Sequence, residues 1–119
     1  MAYEIVEIKN EFIHFRINGL MQLADQLALQ QFANDLIEQG MKPKLLVVAE
    51  NFQGWEKSDA WNDVEFMLHQ GNEIAKMAIV TEAHWQDQIA MFTGKGFRAT
   101  EIEFFLPGSI AQAEYWLYA

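Results

Sequence analysis

The sequence predicts one α/β domain with a mixed, mostly parallel β-sheet and helices packed on it. Two short apolar runs predict buried strands: residues 45–49, Leu-Leu-Val-Val-Ala, and residues 76–80, Lys-Met-Ala-Ile-Val. Neither run alternates between apolar and polar residues, which is typical of strands covered on both faces. Segments with helical periodicity separate the strands. We therefore expect the order β-β-α-β-α-β-α-β-α, with right-handed helical crossovers between parallel strands.

Composition narrows the function classes. The chain has 119 residues and no Cys, which excludes disulfides, thiolate zinc sites and cysteine nucleophiles. Its formal net charge of −9 would repel a phosphate backbone, so no nucleic-acid binding is expected. The amino terminus lacks the pattern of a signal peptide, and no apolar run approaches the ~20 residues of a membrane span. We expect a single cytoplasmic domain over residues 1–119.

The first part of the chain predicts a β-hairpin and then a helix. Residues 3–8 and 12–18 alternate between apolar and polar side chains on either side of a short polar turn. Apolar residues then recur at intervals of three and four over residues 21–39, which predicts a helix with one apolar face. Gly40 is expected to end this helix in a left-handed conformation, and Pro43 prevents its continuation.

The last part of the chain predicts a helix, an edge strand and a closing helix. Thr81 is expected to cap a helix over residues 82–92. Its sheet-facing residues are predicted to be Trp85, Ile89 and Phe92. Residues 100–106 alternate, which favours a strand near the edge of the sheet. Ser109 and Gln112 predict a capping box for the closing helix. That helix is expected to bury Ile110, Ala113, Trp116 and Leu117.

Residues 54–70 carry the main functional signal. As a helix of about 100° per residue, the segment has a first apolar face formed by Ala60, Trp61, Val64, Met67 and Leu68. Trp55 and Phe66 fall together on nearly the opposite side. A helix with two apolar sides must bury the second one, leave it exposed, or move. Two interpretations follow: a mobile helical lid over an apolar pocket, or a Trp55 that precedes the helix and packs on the core.

The predicted lid and pocket comprise Phe52, Trp55, Trp61, Val64, Phe66, Met67 and Leu68. They follow the strand at residues 44–49, and ligands of α/β sheets usually bind beyond the carboxyl ends of the strands. An apolar small molecule or a lipid is the predicted ligand, and the six methionines suit an adaptable apolar surface. Peripheral membrane contact is a further option. It is electrostatically disfavoured, because the segment has four acidic residues (Glu56, Asp59, Asp63 and Glu65) and one basic residue, Lys57.

Signals for catalysis or metal binding are weak. The three histidines, His14, His69 and His84, lack the spacing of a metal-binding pair. Residues 94–96, Gly-Lys-Gly, lack the spacing of a phosphate-binding loop and close a helix. The enzyme hypothesis depends on one group that shares helical faces: Asp59, Asp63, Glu65 and His69. We predict a non-enzymatic protein without metal, cofactor or catalytic residue.

Several motifs occur in a characteristic order along nearly the whole chain. They are Asn18-Gly19-Leu20; residues 45–48 with Phe52-Gln53-Gly54-Trp55; Trp61 with Asp63 and Phe66; residues 76–80 with Trp85; and Glu103-Phe104 followed by Ala113 and Trp116-Leu117. In this order and spacing they resemble the SpoIIAA-like family, a branch of the STAS superfamily. The resemblance implies one SpoIIAA-like domain with no known catalytic chemistry, and it favours lipid or apolar-ligand binding.

The resemblance also provides the alternative function, a STAS-type regulator that binds a protein partner. STAS anti-sigma antagonists carry a phosphorylatable serine in an aspartate-serine motif after the central strand. Here residues 50–55 read Glu-Asn-Phe-Gln-Gly-Trp, and the nearest hydroxyl, Ser58, falls inside the predicted helix. The alternative is therefore an interaction regulator without this phosphoserine switch. Its acidic surface would attract a basic partner, and both a monomer and a homodimer remain open.

Overall fold

The structure is a computed structural model that describes residues 3–56, 74–93 and 100–119. In these ranges the chain forms five strands and three helices. Their order is β1 (Tyr3–Lys9), β2 (Phe12–Asn18), α1 (Leu23–Glu38), β3 (Lys44–Glu50), β4 (Lys76–Val80), α2 (Ala83–Thr93), β5 (Glu101–Phe105) and α3 (Ile110–Tyr118). A 3₁₀ turn, Pro107–Ser109, precedes α3. These elements agree with the predicted α/β fold.

The five strands form one mixed sheet in the order β1-β2-β3-β4-β5. β1 is antiparallel to β2, and every later neighbouring pair is parallel. β3 lies at the centre of the sheet, which explains why its sequence is apolar on both faces. β5 lies at an edge, as its alternating sequence predicts.

Both faces of the sheet are covered by helices. One face packs against α1 and α2. Its buried strand residues are Ile13, Phe15, Ile17, Leu45, Ala49, Ile79 and Ile102, and Ile89 packs on them from α2. The other face packs against α3 through Phe12, Leu46, Val48, Ala78, Val80, Ala113 and Leu117. Ile110 and Trp116 add partly buried contacts to that second face, so the apolar side predicted for the closing helix is confirmed. Trp85 and Ile89 of α2 also face the sheet as predicted, and the side chain of Phe92, the third residue of that prediction, lies outside the described part of the chain.

The predicted end of α1 is confirmed. Gly40 follows the helix with a φ of +88°. Its N–H donates a hydrogen bond of 2.9 Å to the Ile37 carbonyl, and the Met41 N–H donates one of 3.1 Å to the Leu36 carbonyl. This pattern satisfies carbonyls that the helix leaves unpaired, and only glycine adopts such a φ without strain.

Two predicted helix caps are wrong, and in each case the local backbone gives the reason. Thr81 does not cap α2: its N–H donates to the Phe105 carbonyl at 3.0 Å, which keeps the residue in line with the sheet. Its Oγ1 is buried without a hydrogen-bond partner among the described residues. Ser109 makes no side-chain cap because it lies in the 3₁₀ turn with φ −113° and ψ 29°. A capping residue normally has an extended backbone.

Candidate interaction site at the carboxyl edge of the sheet

The loops that follow β2 and β3 leave the sheet at the same edge, because the two strands are parallel. The Met21 N–H donates to the Gly54 carbonyl at 2.9 Å, and the Glu56 N–H donates to the Met21 carbonyl at 2.9 Å. Met21 and Trp55 thereby form a parallel bridge beyond the strand ends. The bridge fixes the backbone of the loop after β3 on the loop after β2.

Three residues with positive φ shape this edge: Gly19 at +80°, Asn51 at +50° and Gly54 at +91°. Gly54 is the most constrained of them. A Cβ at this position would lie 3.3 Å from Cη2 of Trp85, closer than an ordinary van der Waals contact. The positive φ therefore favours glycine at residue 54, and a Cβ there would press on the Trp85 ring.

Phe52, Trp55 and Trp85 form an aromatic cluster at this edge. The Phe52 ring meets Trp55 at a centroid distance of 5.1 Å and Trp85 at 4.9 Å, and the two indoles are 6.2 Å apart. All three pairs are edge to face, which is a favourable arrangement for aromatic rings. Phe52 is buried, whereas both tryptophans are half-buried. The cluster therefore joins the core to the surface.

The position of Trp55 corrects the predicted helix over residues 54–70. Residues 54–56 are not helical, because the bridge to Met21 holds the backbone in extended pairing. Trp55 thus lies in the loop and packs on the core, as the second interpretation predicted. Because no continuous helix starts at residue 54, helical periodicity cannot place Trp55 on the same face as Phe66. This removes the double apolar strip as an argument for a lid, whereas ligand binding by Phe52 and Trp55 stays a prediction.

Most of the other predicted site residues lie outside the described ranges. These are Trp61, Val64, Phe66, Met67 and Leu68 of the lid and pocket, together with Asp59, Asp63, Glu65 and His69 of the enzyme hypothesis. The same holds for the Gly-Lys-Gly segment at residues 94–96 and for Ser58. The helical lid and the acid-base group therefore stay predictions.

The carboxyl edge also exposes a mixture of acidic and apolar side chains. Leu20 follows β2 and Leu106 follows β5, and both are exposed. Glu50 ends β3, with Oε1 3.7 Å from Nε of Arg16. Glu82 follows β4 and is also exposed. Because β2 to β5 are parallel, these four side chains belong to one edge about 14 Å wide, three strand spacings of ~4.8 Å.

The histidines in the described ranges do not form a metal site. His14 is half-buried in β2, and its Nε2 has no hydrogen-bond partner among the described residues. His84 is exposed on α2, with Nδ1 3.8 Å from Oε2 of Glu82. Across residues 3–56, 74–93 and 100–119, no three His, Cys, Asp or Glu residues are grouped closely enough to hold a metal ion. Among the helices of the same ranges, none has the length and apolarity to span a bilayer.

Comparison with known proteins identifies the family. A sequence model described as SpoIIAA-like matches residues 12–118. The chain belongs to the SpoIIAA-like family. A similar solved structure is the crystal structure of an uncharacterized protein from the DUF3478 family with a SpoIIAA-like fold, from Shewanella loihica PV-4. The similarity covers 98% of this chain and 92% of the other at 20% identity, with a TM-score of 0.68. A search of curated proteins gives no match.

The family membership confirms the fold predicted from the sequence and is consistent with the STAS superfamily. SpoIIAA-like and STAS domains are generally non-catalytic, and the fold indicates a regulatory or interaction module. In this SpoIIAA-like chain, the stretch after the central strand has no hydroxyl among residues 50–55. The features that indicate an interaction site here are the aromatic rings of Phe52, Trp55 and Trp85 and the acidic side chains of Glu50 and Glu82.

The sequence predicts that Trp85 faces the sheet, but it does not indicate that Trp85 belongs to the site. The partner of Trp55 follows a different strand, β4, and only the pairing of β3 with β4 brings the two indoles together. One local signal was present in the sequence. Gly54 stands between Phe52 and Trp55, where a close approach of another ring requires a residue without a Cβ.

Proposed function

We propose that this SpoIIAA-like chain is a non-catalytic interaction module that binds a regulatory protein at the carboxyl edge of its sheet. The observation that carries the proposal is the half-buried Trp55, fixed by its bridge to Met21 and by its contacts with Phe52 and Trp85. Tryptophans that are already rigid lose little conformational entropy on binding, and they are enriched among residues that dominate interface energies.

The acidic side chains at the carboxyl edge favour a basic partner. Glu50 and Glu82 lie at the same edge as the exposed Leu20 and Leu106. A partner that fits this edge presents apolar side chains bordered by Lys or Arg. The net charge of −9 would accelerate encounter with such a basic surface, and salt would slow it.

Site-specific photo-crosslinking tests the proposal. A photoreactive phenylalanine analogue replaces Leu20 or Leu106 at the carboxyl edge, and Met91 on α2, which is 82% exposed, serves as the control position. In the cells that express the chain, we expect one defined protein to be crosslinked from both edge positions and not from residue 91. Equal labelling from all three positions, or none from the edge, would contradict the proposal.

A charge reversal tests the electrostatic part. Glu82→Lys should weaken the crosslinked complex several-fold, because it places a cation against a basic partner. Glu114→Lys makes the same change of charge on an exposed residue of α3 and should leave the complex unchanged. Loss of the complex in both variants would show a general charge effect without a defined site.

The second candidate function is binding of an apolar small molecule or lipid at the same edge. It is favoured by the incomplete burial of the Trp55 and Trp85 indoles. A fatty-acid probe with environment-sensitive fluorescence should then bind the chain and change its Trp emission. Trp55→Ala should reduce that binding. An unchanged probe signal in the native chain would exclude this candidate.

A further inference from the structure

β1 is an edge strand, and its outer side has no neighbouring strand among the described residues. Three of its apolar side chains, Ile5, Val6 and Ile8, are exposed. An edge of this kind presents unpaired N–H and C=O groups to any further strand. It lies on the opposite side of the sheet from β5, and Glu4 of β1 is linked through Arg16 to Glu50 of the carboxyl-edge site.

A β-bulge at Val6 sets the faces of the strand. Ile5 lies opposite Phe15 of β2, and Glu7 lies opposite His14. Consecutive residues of β2 therefore face residues of β1 that are two apart, and Val6 is the extra residue of the bulge. In a regular strand, residues three apart point to opposite faces. The bulge reverses this relationship for residues on either side of Val6.

Ile5 and Ile8 consequently lie on the same face of the sheet. Their β2 neighbours in the register are Phe15 and Ile13, which both belong to the core packed against α1. By the same count, the residues at the two ends of this stretch, Glu4 and Lys9, share the other face. The strand thus has the apolar pair Ile5 and Ile8 on one face, and Glu4, Glu7 and Lys9 on the other, because Glu7 lies opposite His14, which shares the face of Phe12 and Arg16.

We propose that a second copy of this chain pairs with β1 through antiparallel strand addition across a two-fold axis. The register places Ile5 opposite Ile8 of the second copy and Glu4 opposite its Lys9, and the symmetry repeats both pairs. The five-stranded sheet of one copy continues into that of the other. Apolar pairs and opposite charges directly across neighbouring strands both stabilise a sheet.

The bulge is compatible with this pairing. A bulge usually protects an edge because it increases the local twist of the strand. Two identical strands related by a two-fold axis have the same twist, and each has its extra residue near the axis. The copies therefore fit each other better than either fits a regular strand.

β5, the outermost strand on the other side of the sheet, lacks this self-complementarity. β5 carries Glu101 and Glu103 and no basic residue. Antiparallel pairing of two copies of β5 centred on Glu103 would place two carboxylates directly across from each other, which is destabilising. The charge pattern therefore selects β1 as the edge through which two copies join.

The expected association is weak. Strand edges alone bury less than a standard interface, and two copies that each carry −9 repel each other at long range. A Kd on the order of 1 µM to 1 mM is expected. Added salt should strengthen the dimer at first, because it screens the long-range repulsion more than the close pairs.

Charge-swap variants of the full chain test the register. Sedimentation equilibrium should show that Lys9→Glu weakens self-association at least tenfold, because it places two carboxylates opposite each other. Glu4→Lys should have the same effect with two cations. An equimolar mixture of the two variants should recover the affinity, because every acidic position then faces a basic one. Met91→Thr, at an exposed site on α2, should leave the association unchanged.

Three outcomes would overturn the proposal. The first is a native chain that stays monomeric up to about 1 mM. The second is a mixture that associates no better than the single variants. The third is a chain that self-associates while its β1 amides exchange hydrogen as fast as they do at concentrations where the chain is monomeric, which would place the interface elsewhere.

A further variant, Ile8→Thr, keeps the proposal testable if Glu4→Lys does not fold. Glu4 lies 4.0 Å from Arg16, so Glu4→Lys removes a contact within the chain. If thermal unfolding shows that this variant does not fold, Lys9→Glu is compared with Ile8→Thr, which removes half of the apolar pair. Both should weaken association, and unchanged association in both would reject β1 as the interface. Because Glu4 is linked through Arg16 to Glu50, the carboxyl-edge crosslinks are measured in Lys9→Glu and Ile8→Thr, so the two proposals can fail independently.

Discussion

The indole rings of Trp55 and Trp85 meet edge to face, with their centroids 6.2 Å apart and their planes at 86°. Trp55 belongs to the loop after β3, and Trp85 belongs to α2 after β4. Their contact, together with the backbone bridge to Met21, holds that loop against both neighbouring elements. Four predictions test this arrangement and the packing around it.

Trp85→Ala should destabilise the protein by about 2–4 kcal/mol, because it removes the ring that both Phe52 and Trp55 contact. The near-ultraviolet circular dichroism of the remaining tryptophans should also decrease. Urea unfolding and circular dichroism measure the two effects. Tyr115→Ala, which truncates an aromatic residue that is 78% exposed, should change stability by less than about 0.5 kcal/mol. Equal losses in both variants would refute a structural role for the cluster.

Gly54→Ala should destabilise the protein by roughly 1–2 kcal/mol, since a left-handed φ is unfavourable for residues with a Cβ. The new methyl group would also press on Trp85 at 3.3 Å and should shift its fluorescence. Gly108→Ala is the control, because a methyl group there would meet no atom within 4 Å and the φ of Gly108 is not positive. Similar unfolding midpoints for Gly54→Ala and the native chain would contradict the close packing.

Thr81→Val should leave stability unchanged or raise it by about 1 kcal/mol. The hydroxyl of Thr81 is buried without a hydrogen-bond partner among the described residues, and valine keeps the shape while removing that polar atom. Thr81→Ala should instead destabilise the protein, because it leaves a cavity. Thermal unfolding of both variants is the measurement. A clear loss of stability in Thr81→Val would show that the hydroxyl has a partner.

Lys76→Met should destabilise the protein by about 1–2.5 kcal/mol, the sum expected for a hydrogen bond and a cation–π contact at a partly exposed site. Nζ of Lys76 donates to the Trp116 carbonyl at 3.0 Å and lies 4.9 Å from the centre of its indole ring. These contacts tie the last turn of α3 to β4. Lys42→Met removes an exposed lysine and should be neutral. Chemical unfolding distinguishes the two variants.

The sequence was sufficient for the elements whose signal is local or periodic. The unalternating apolar run of β3 predicted a central strand, and the alternation of β5 predicted an edge strand. Gly40 and Pro43 marked the end of α1 correctly. These predictions succeeded because burial on one or two faces leaves a direct trace in the order of apolar and polar residues.

The Thr81 cap and the helix starting at residue 54 were predicted wrongly because long-range backbone pairing overrode local preference. The alternative interpretation, with Trp55 in the loop, is confirmed. The Ser109 cap is absent for a local reason, the 3₁₀ turn in which Ser109 lies. Thr81 has the chemistry of a cap, but its N–H pairs with Phe105 of another strand. Trp55 fits a helical period, but its backbone pairs with Met21, more than thirty positions earlier in the chain. Local periodicity carries no information about such partners.

By itself, the sequence determined the α/β class, the strand order along the chain and the acidic, cysteine-free character of the surface. The tertiary structure decided which aromatic rings meet at the carboxyl edge and which side chains of β1 share a face. The physical reason is the same in both cases. Strand register and the bulge at Val6 are fixed by hydrogen bonds between neighbouring strands, and a shift of one residue exchanges the two faces of a strand.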